Sequence, residues 1–233
     1  MELVLPAEHD YPPEMFRRDL PEELRVGCAR AYYKLNFVAR GIFRRRLAVA
    51  FSVLPSHGFE RALDAGTGVG FLLPGLARVA KRVVAVDLFP VVRFAQAMLD
   101  KRGIGNVRLT RGDLLSLPFP DGTFDLIVCL SVIEHIPDPA AAFSELGRVL
   151  RPQGTAIVGY PMEHRAFHFF ESLCRAHNRL RRSKPATLRE DPHVSNYRRI
   201  EQSWDHVFRL DARRNVGVVG VPLYRILRLT RKS

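Results

Sequence analysis

The stretch of residues 61–70, RALDAGTGVG, constrains the fold more than any other part of the chain. It begins as a short apolar strand and ends in three glycines at alternate positions, and Pro74 and a helical pattern of apolar residues follow. This order predicts a strand, a tight turn and the start of a helix. Because glycine has no Cβ, such a turn lets a ligand approach the backbone closely.

Short apolar runs alternate with helical patterns through the middle of the chain. We predict strands at 61–65, 82–87, 107–112, 124–130 and 155–160, and helices at 72–80, 91–102 and 139–150. Alternating strands and helices imply parallel strands with right-handed crossovers, hence an α/β fold with a doubly wound sheet. Two further strands, at 207–212 and 223–230, are predicted to form a hairpin. Ligands of such sheets bind at the carboxyl ends of the strands.

Acidic residues lie at those ends. Asp64 stands two residues before the first glycine, Asp87 ends the second predicted strand and Asp113 follows the third. An acid at the end of the second strand accepts both hydroxyls of an adenosine ribose, in NAD sites and in S-adenosylmethionine sites alike. A dinucleotide fingerprint requires a small residue at position 71, where this chain has Phe71. An NAD-dependent reductase is therefore disfavoured.

The motifs together resemble the class I S-adenosylmethionine-dependent methyltransferases. They are the acid-x-Gly-x-Gly-x-Gly run from Asp64, the pairs 87–88 and 113–114, the segment LPFPDGTFDLIV leading into SVIEHI, and ELGRVLRPQG. Within that group the chain is similar to the small-molecule family that includes the quinone-biosynthesis C-methyltransferases. The resemblance covers roughly residues 60–160, and Gln153 departs from the glycine that the family usually has. It implies a Rossmann-like, mostly parallel seven-stranded sheet whose last strand is antiparallel, and S-adenosylmethionine as cofactor.

The resemblance also implies a role for each matched residue. The glycine loop passes under the methionine part of the cofactor, Asp64 holds the ammonium group, Asp87 binds the ribose and Asp113 accepts the adenine amine. The end of the fourth strand faces the sulfonium. The implied cofactor-binding residues are Asp64, Gly66, Thr67, Gly68, Gly70, Asp87, Leu88, Asp113, Leu114, Leu130 and Ser131.

Methyl transfer from a sulfonium needs in-line approach, exclusion of water and, for a protonated nucleophile, a base. His135 follows the fourth strand and is the candidate base, with a pocket-shaping loop residue as the alternative interpretation. Candidate acceptor contacts, each also interpretable as an ordinary loop or surface residue, are Tyr32, Tyr33, Tyr160, His164 and His193. The eight histidines show no ligand spacing, so we expect no metal.

The charge is unevenly distributed. The net charge is +12, yet residues 61–160 hold 11 basic and 9 acidic side chains. The excess lies on the flanks, with 9 basic against 3 acidic residues in 15–50 and 9 against 4 in 161–199. This pattern points to an anionic partner, which could be a charged small molecule, an anionic membrane surface or nucleic acid. A solvated basic surface is the plain alternative.

We expect an irregular arm and a helical cap at 1–55, followed by a methyltransferase domain at 56–233 with a basic helical insertion at about 161–199. The helical pattern of 21–54 is expected to break at Gly41 and to turn its arginines at 44–46 outward. The three cysteines lie far apart, which indicates a reducing compartment and a cytoplasmic location. Peripheral membrane association stays open.

The predicted function is methyl transfer to a small-molecule acceptor, partly apolar and either anionic or lipid-like. One alternative is an RNA methyltransferase that uses the basic flanks. It is disfavoured because those flanks lack regularly interleaved aromatic residues, and because residues 131–134 are not the Asn/Asp-Pro-Pro-Tyr motif of base-amine methylation. Another alternative is a non-catalytic cofactor-binding protein at a membrane or partner surface.

Overall fold

A seven-stranded sheet in the order β3-β2-β1-β4-β5-β7-β6 forms the centre of the computed structural model, which describes residues 3–16, 37–162, 193–218 and 220–233. The strands are β1 (Phe59–Ala65), β2 (Ala80–Asp87), β3 (Val107–Arg111), β4 (Phe124–Leu130), β5 (Leu150–Pro161), β6 (Phe208–Val218) and β7 (Val221–Arg231). Strands β1 to β5 pair in parallel, whereas β7 runs antiparallel to both β5 and β6. The predicted α/β class and the mostly parallel, doubly wound sheet are confirmed.

Five helices lie in the described ranges: α1 (Phe37–Ser52), α2 (Leu73–Val79), α3 (Val92–Arg102), α4 (Pro139–Val149) and α5 (Tyr197–Glu201). Local chemistry sets several of their ends. The side chain of Asp138 accepts hydrogen bonds from the first backbone N–H groups of α4, and Gly103 ends α3 in the left-handed conformation. None of these helices combines the length and apolarity that crossing a bilayer requires.

Two hydrophobic clusters hold the helices on the sheet. One includes Phe51 of α1, Leu76 of α2 and Phe94 of α3, and the other includes Phe143 of α4. Helix α1 packs closely, because a Cβ at Gly75 of α2 would lie only 2.6 Å from Cζ of Phe51. It also contacts β6 and β7. The described part of the cap is therefore part of the domain core.

The structure corrects the expected break in the cap. Helix α1 runs through Gly41 without interruption, so that prediction was wrong. The rest of the predicted cap, and most of the predicted insertion at 161–199, lie outside the described residues. The arm contains short 3-10 turns at Glu8–Asp10 and Pro13–Phe16. It packs on the domain, with the Tyr11 and Phe71 ring centroids 5.9 Å apart.

The strand order fixes where a ligand can bind. Chain order runs outward from β1 to β2 and β3 on one side, and from β4 to β5 on the other. The crevice of a doubly wound sheet opens at such a reversal, at the carboxyl ends of the strands. The loops that follow β1, β2 and β4 meet there.

Candidate cofactor and acceptor site

The loop after β1 needs glycine for conformation and for space. Gly66, Gly68 and Gly70 have φ angles of 81°, 54° and 82°, in the left-handed region. A Cβ at Gly66 would lie 2.2 Å from Cγ2 of Val132, and one at Gly70 would lie 2.8 Å from Cδ1 of Leu73. No described atom lies within 4 Å of a Cβ built on Gly68. The tip of the loop is therefore open to a ligand, while its two ends are packed.

Two carboxylates converge on this loop. Asp64 is only 2% exposed, and Thr67 Oγ1 donates a hydrogen bond of 2.7 Å to its Oδ2. Asp87 is 9% exposed and accepts from the backbone N–H of Gly68 at 2.7 Å and of Phe89 at 3.0 Å. Both predicted acids thus contact the glycine turn, Asp64 through Thr67 and Asp87 through Gly68.

Burial raises the pKa of both acids. Burial raises the pKa of Asp64 to about 7, the Thr67 hydrogen bond opposes this rise, and the charge of Asp87 adds to it. Burial also raises the pKa of Asp87, against the hydrogen bonds from the backbone N–H groups of Phe89 and Gly68, which lower it. A cationic group beside Asp64 would favour its charged form, as would be expected at a site for an ammonium group.

Exposed apolar side chains follow strands β2 and β3. Leu88 and Phe89 follow β2 and are 46% and 53% exposed, and Leu115 follows β3 and is 41% exposed. Leu114 is buried, and Asp113 is exposed, with Oδ1 accepting from the N–H of Leu115 at 2.9 Å. Such an apolar surface beside a buried carboxylate suits a flat heteroaromatic ring. Leu88 was predicted from the sequence as a site residue. Phe89 and Leu115 were not, although each directly follows a predicted site residue.

The end of β4 carries an unusual backbone conformation. Ser131 has a φ of 59°, which is rare for a residue other than glycine. Its N–H donates to the carbonyl of Gly159 at 2.8 Å, and its Oγ lies 2.9 Å from the hydroxyl of Tyr224 on β7. A Cβ at Gly159 would lie 2.8 Å from Cε1 of Tyr224, so this glycine makes room for the tyrosine ring.

An arginine from α1 reaches the same place. Arg46 Nη1 donates to Ser131 Oγ at 2.8 Å, and its guanidinium carbon lies 4.5 Å from the ring centroid of Phe43 and 5.0 Å from that of Tyr224. We expected all three arginines of the run to face solvent. Residues 44 and 45 are exposed, but Arg46 lies one helical turn from Phe43 and points with it toward the sheet.

The 3-10 turn Ile133–His135 follows Ser131 and is held by a later segment. The carbonyl of Glu134 accepts from the N–H groups of Val194 at 2.9 Å and Ser195 at 3.0 Å. This contact places the rings of His135 and His193 at a centroid distance of 5.0 Å and an angle of 69°. From the sequence, His135 was predicted as a candidate base and His193 as a separate acceptor contact. The structure places their rings side by side.

Tyr160 takes a position that disfavours acceptor binding. It is fully buried, and its hydroxyl donates to Glu201 Oε1 at 2.7 Å, beside Arg225. Burial, together with the Glu201 hydrogen bond, raises its pKa far above the ordinary value. Among the other predicted acceptor contacts, Tyr32, Tyr33 and His164 lie outside the described residues.

Comparison with known proteins gives the site a context. The family model described as "Methyltransferase domain" matches residues 63–158. A demethylmenaquinone methyltransferase of Roseiflexus castenholzii is 35% identical over 147 residues, which cover 62% of this chain and 61% of that protein. An uncharacterized methyltransferase of Bacillus subtilis, YcgJ, is 35% identical over 96 residues, 41% of this chain and 38% of that one. The chain thus spans less than two thirds of the length of either relative.

Solved structures show the same fold. The N-methyltransferase NodS from Bradyrhizobium japonicum, in complex with S-adenosylhomocysteine, superposes with a TM-score of 0.63 at 17% identity, covering 87% of this chain and 91% of that one. The [4+2]-cyclase SpnF superposes with a TM-score of 0.63 at 18% identity, covering 82% and 81%. Because a cyclase and an N-methyltransferase share this fold, the fold alone does not determine the chemistry.

Proposed function

Because the central part of the chain belongs to the class I S-adenosylmethionine-dependent methyltransferase family, we propose that the protein transfers the methyl group of this cofactor to a partly apolar small molecule with an anionic group. The observation that carries the proposal is the pair of buried acids, Asp64 of β1 and Asp87 of β2, that contact one glycine loop at the reversal of strand order. The name of the Roseiflexus relative supports a small-molecule acceptor.

In this proposal each part of the loop region holds one part of the cofactor. Asp64 holds the ammonium group and Asp87 accepts the ribose hydroxyls, for which it keeps lone pairs beside its two backbone hydrogen bonds. The adenine ring lies against Leu88 and Phe89, with Asp113 at its amine. The open position at Gly68 leaves room for the methionine chain.

The acceptor group lies at the end of β4. Arg46 presents a permanently charged guanidinium there, partly shielded from water by the rings of Phe43 and Tyr224. A carboxylate or phosphate of the acceptor would accept from this guanidinium, and the hydroxyls of Ser131 and Tyr224 would complete the contact. The left-handed backbone of Ser131 costs free energy, and such strain concentrates at functional sites.

Calorimetric titration tests the cofactor half of the proposal. We expect S-adenosylmethionine and S-adenosylhomocysteine to bind and NADH not to bind. We also expect Asp87→Ala to weaken binding at least tenfold, because the ribose loses its acceptor. Asp121→Ala is the matched control, since that exposed acid pairs with Arg148 away from the crevice. Preference for NADH, or no binding of either sulfur ligand, would overturn the proposal.

Release of S-adenosylhomocysteine from a panel of phenolic acceptors tests the other half. Each carboxylate acceptor is paired with its neutral methyl ester, and we expect the wild type to prefer the carboxylates. Arg46→Met should remove the preference, while Arg44→Met, an exposed neighbour on the same helix, should keep it. Methylation of RNA with a steep salt dependence would instead support the nucleic-acid alternative. Cofactor binding without turnover of any acceptor would support a non-catalytic role.

A further inference from the structure

We propose that Glu134, His135 and His193 form a binding site for one divalent transition-metal ion, of the class of Zn²⁺. One ligand atom from each residue lies within 4.8 Å of the other two. The two imidazole rings are 5.0 Å apart at their centroids. Two imidazoles that share one zinc ion, with Zn–N bonds of about 2.0 Å at a tetrahedral angle, have centroids about 5 Å apart. The centroid distance of the two rings therefore matches that of a pair sharing one ion, while the ligand atoms still have to approach one another.

The backbone fixes this arrangement. Glu134 and His135 lie in the short turn after β4, and the Glu134 side chain is 2% exposed. The two residues after His193 are anchored to that turn, because the Val194 and Ser195 N–H groups donate to the Glu134 carbonyl and Ser195 Oγ donates to the Ile136 carbonyl at 2.7 Å. Ligands on anchored backbone lose little conformational freedom when an ion binds, which favours affinity.

The donor set selects the class of ion. Two imidazoles and one carboxylate are typical of zinc and related transition metals, whereas calcium and magnesium prefer sets made of oxygen atoms. In a tetrahedral zinc site the ligand atoms are about 3.3 Å apart, so side-chain movements of roughly 1.5 Å or less would close the site. A positive ion would also offset the cost of keeping the Glu134 carboxylate out of water.

Three protein ligands leave at least one position open on the ion, at the strand end where the acceptor is proposed to bind. A hydroxyl acceptor bound there would have a lower pKa and would lose its proton to solvent. Its oxygen would then bond to the methyl carbon as the carbon–sulfur bond breaks, with the electron pair staying on the sulfur. This catalytic role rests on the proposed methyl transfer, but binding of the ion does not. It would make His135 a ligand in place of the general base.

The test titrates metal-free, untagged protein with Zn²⁺ by calorimetry and with Co²⁺ by visible absorption, in the absence of cofactor. We expect one ion per chain, with ligand-field bands of Co²⁺ that zinc removes. His193→Ala and His135→Ala should each weaken zinc binding at least thirtyfold. His57→Ala, an exposed histidine beside Phe59, is the control and should bind as the wild type does.

Glu134→Gln keeps the shape of the buried side chain, and its thermal unfolding midpoint reports whether the variant folds. Unchanged zinc affinity in folded His193→Ala, or no binding by the wild type, would overturn the site. If the protein binds zinc but not S-adenosylhomocysteine, the metal site stands and only the proposed methyl transfer is overturned. If methyl transfer keeps its full rate after a chelator has removed the ion, the ion does not activate the acceptor, and that part of the proposal would be overturned.

Discussion

The affinity for the cofactor should depend on pH through Asp64. Its pKa of about 7 in the free protein arises from burial, against the opposing Thr67 hydrogen bond, with the charge of Asp87 adding to the rise. An ammonium group beside the carboxylate would stabilise its charged form, so binding should expel the proton. Above a pH of about 7 the carboxylate is already ionised, and the dependence should level off.

The size of the effect follows from the titration. With a pKa of about 7 in the free protein and a much lower one in the complex, about 3% of the sites are ionised at pH 5.5 and about three quarters at pH 7.5. The dissociation constant of S-adenosylhomocysteine should therefore be about 25-fold lower at pH 7.5 than at pH 5.5. The contribution of Asp64 to the free energy of unfolding has the opposite pH dependence and falls as the pH rises. The native state holds more protons than the unfolded state between about pH 4 and 7, so this group lowers stability as the pH rises through that window.

Calorimetry in buffers of different ionisation enthalpy measures both quantities. About one proton should be released per cofactor bound at pH 5.5, and about a quarter of a proton at pH 7.5. Asp64→Asn should make the affinity nearly independent of pH, while Asp121→Asn should leave the wild-type slope. A wild-type affinity that stays flat across this range, or a slope that persists in Asp64→Asn, would refute the assignment of the proton to this carboxyl group.

Substitutions at three positions test the packing and strain of the site and its domain. Ser131→Gly should be about 1 kcal/mol more stable in urea denaturation than Ser131→Ala, because only glycine adopts a φ of 59° without strain, whereas both should lose rate on anionic acceptors. Gly66→Ala should abolish binding of S-adenosylhomocysteine in calorimetry, because its Cβ would collide with Val132. Phe143→Ala should lower the free energy of unfolding by about 3–5 kcal/mol while the folded fraction binds this ligand normally.

The sheet could be predicted because its signals are local. Strand β4 was predicted at 124–130 and observed at Phe124–Leu130, and six of its seven residues are buried, so its apolar run matches its burial. Strand β6 was predicted too short, at 207–212, and extends to Val218. It lies at the edge of the sheet, where exposed polar residues such as Arg213 and Arg214 are tolerated and hide the strand pattern.

The prediction of a helix break at Gly41 was wrong for a different reason. Glycine in a helix costs roughly 1 kcal/mol relative to alanine, and propensity alone places a boundary there. Helix α1 buries Leu47, Ala50 and Phe51 against the domain, and burial of side chains such as Phe51 contributes about 1.5–3 kcal/mol each. Tertiary packing therefore outweighs the local preference, and one sequence does not show where that packing occurs.

The candidate site shows the same contrast between local sequence signals and tertiary packing. The acids and glycines proposed for the cofactor follow single strands and lie within residues 63–158, the region that matches the family model. Arg46, Tyr224 and His193 lie outside that region and reach the end of β4 only through contacts between elements far apart in the chain. Relatives that match this chain mainly over the shared region therefore report on its cofactor and on no more than the broad class of its acceptor. If the acceptor is selected as proposed, its chemistry is determined by α1, β7 and the segment at 193–195, and substitutions there should change the substrate while leaving cofactor affinity intact.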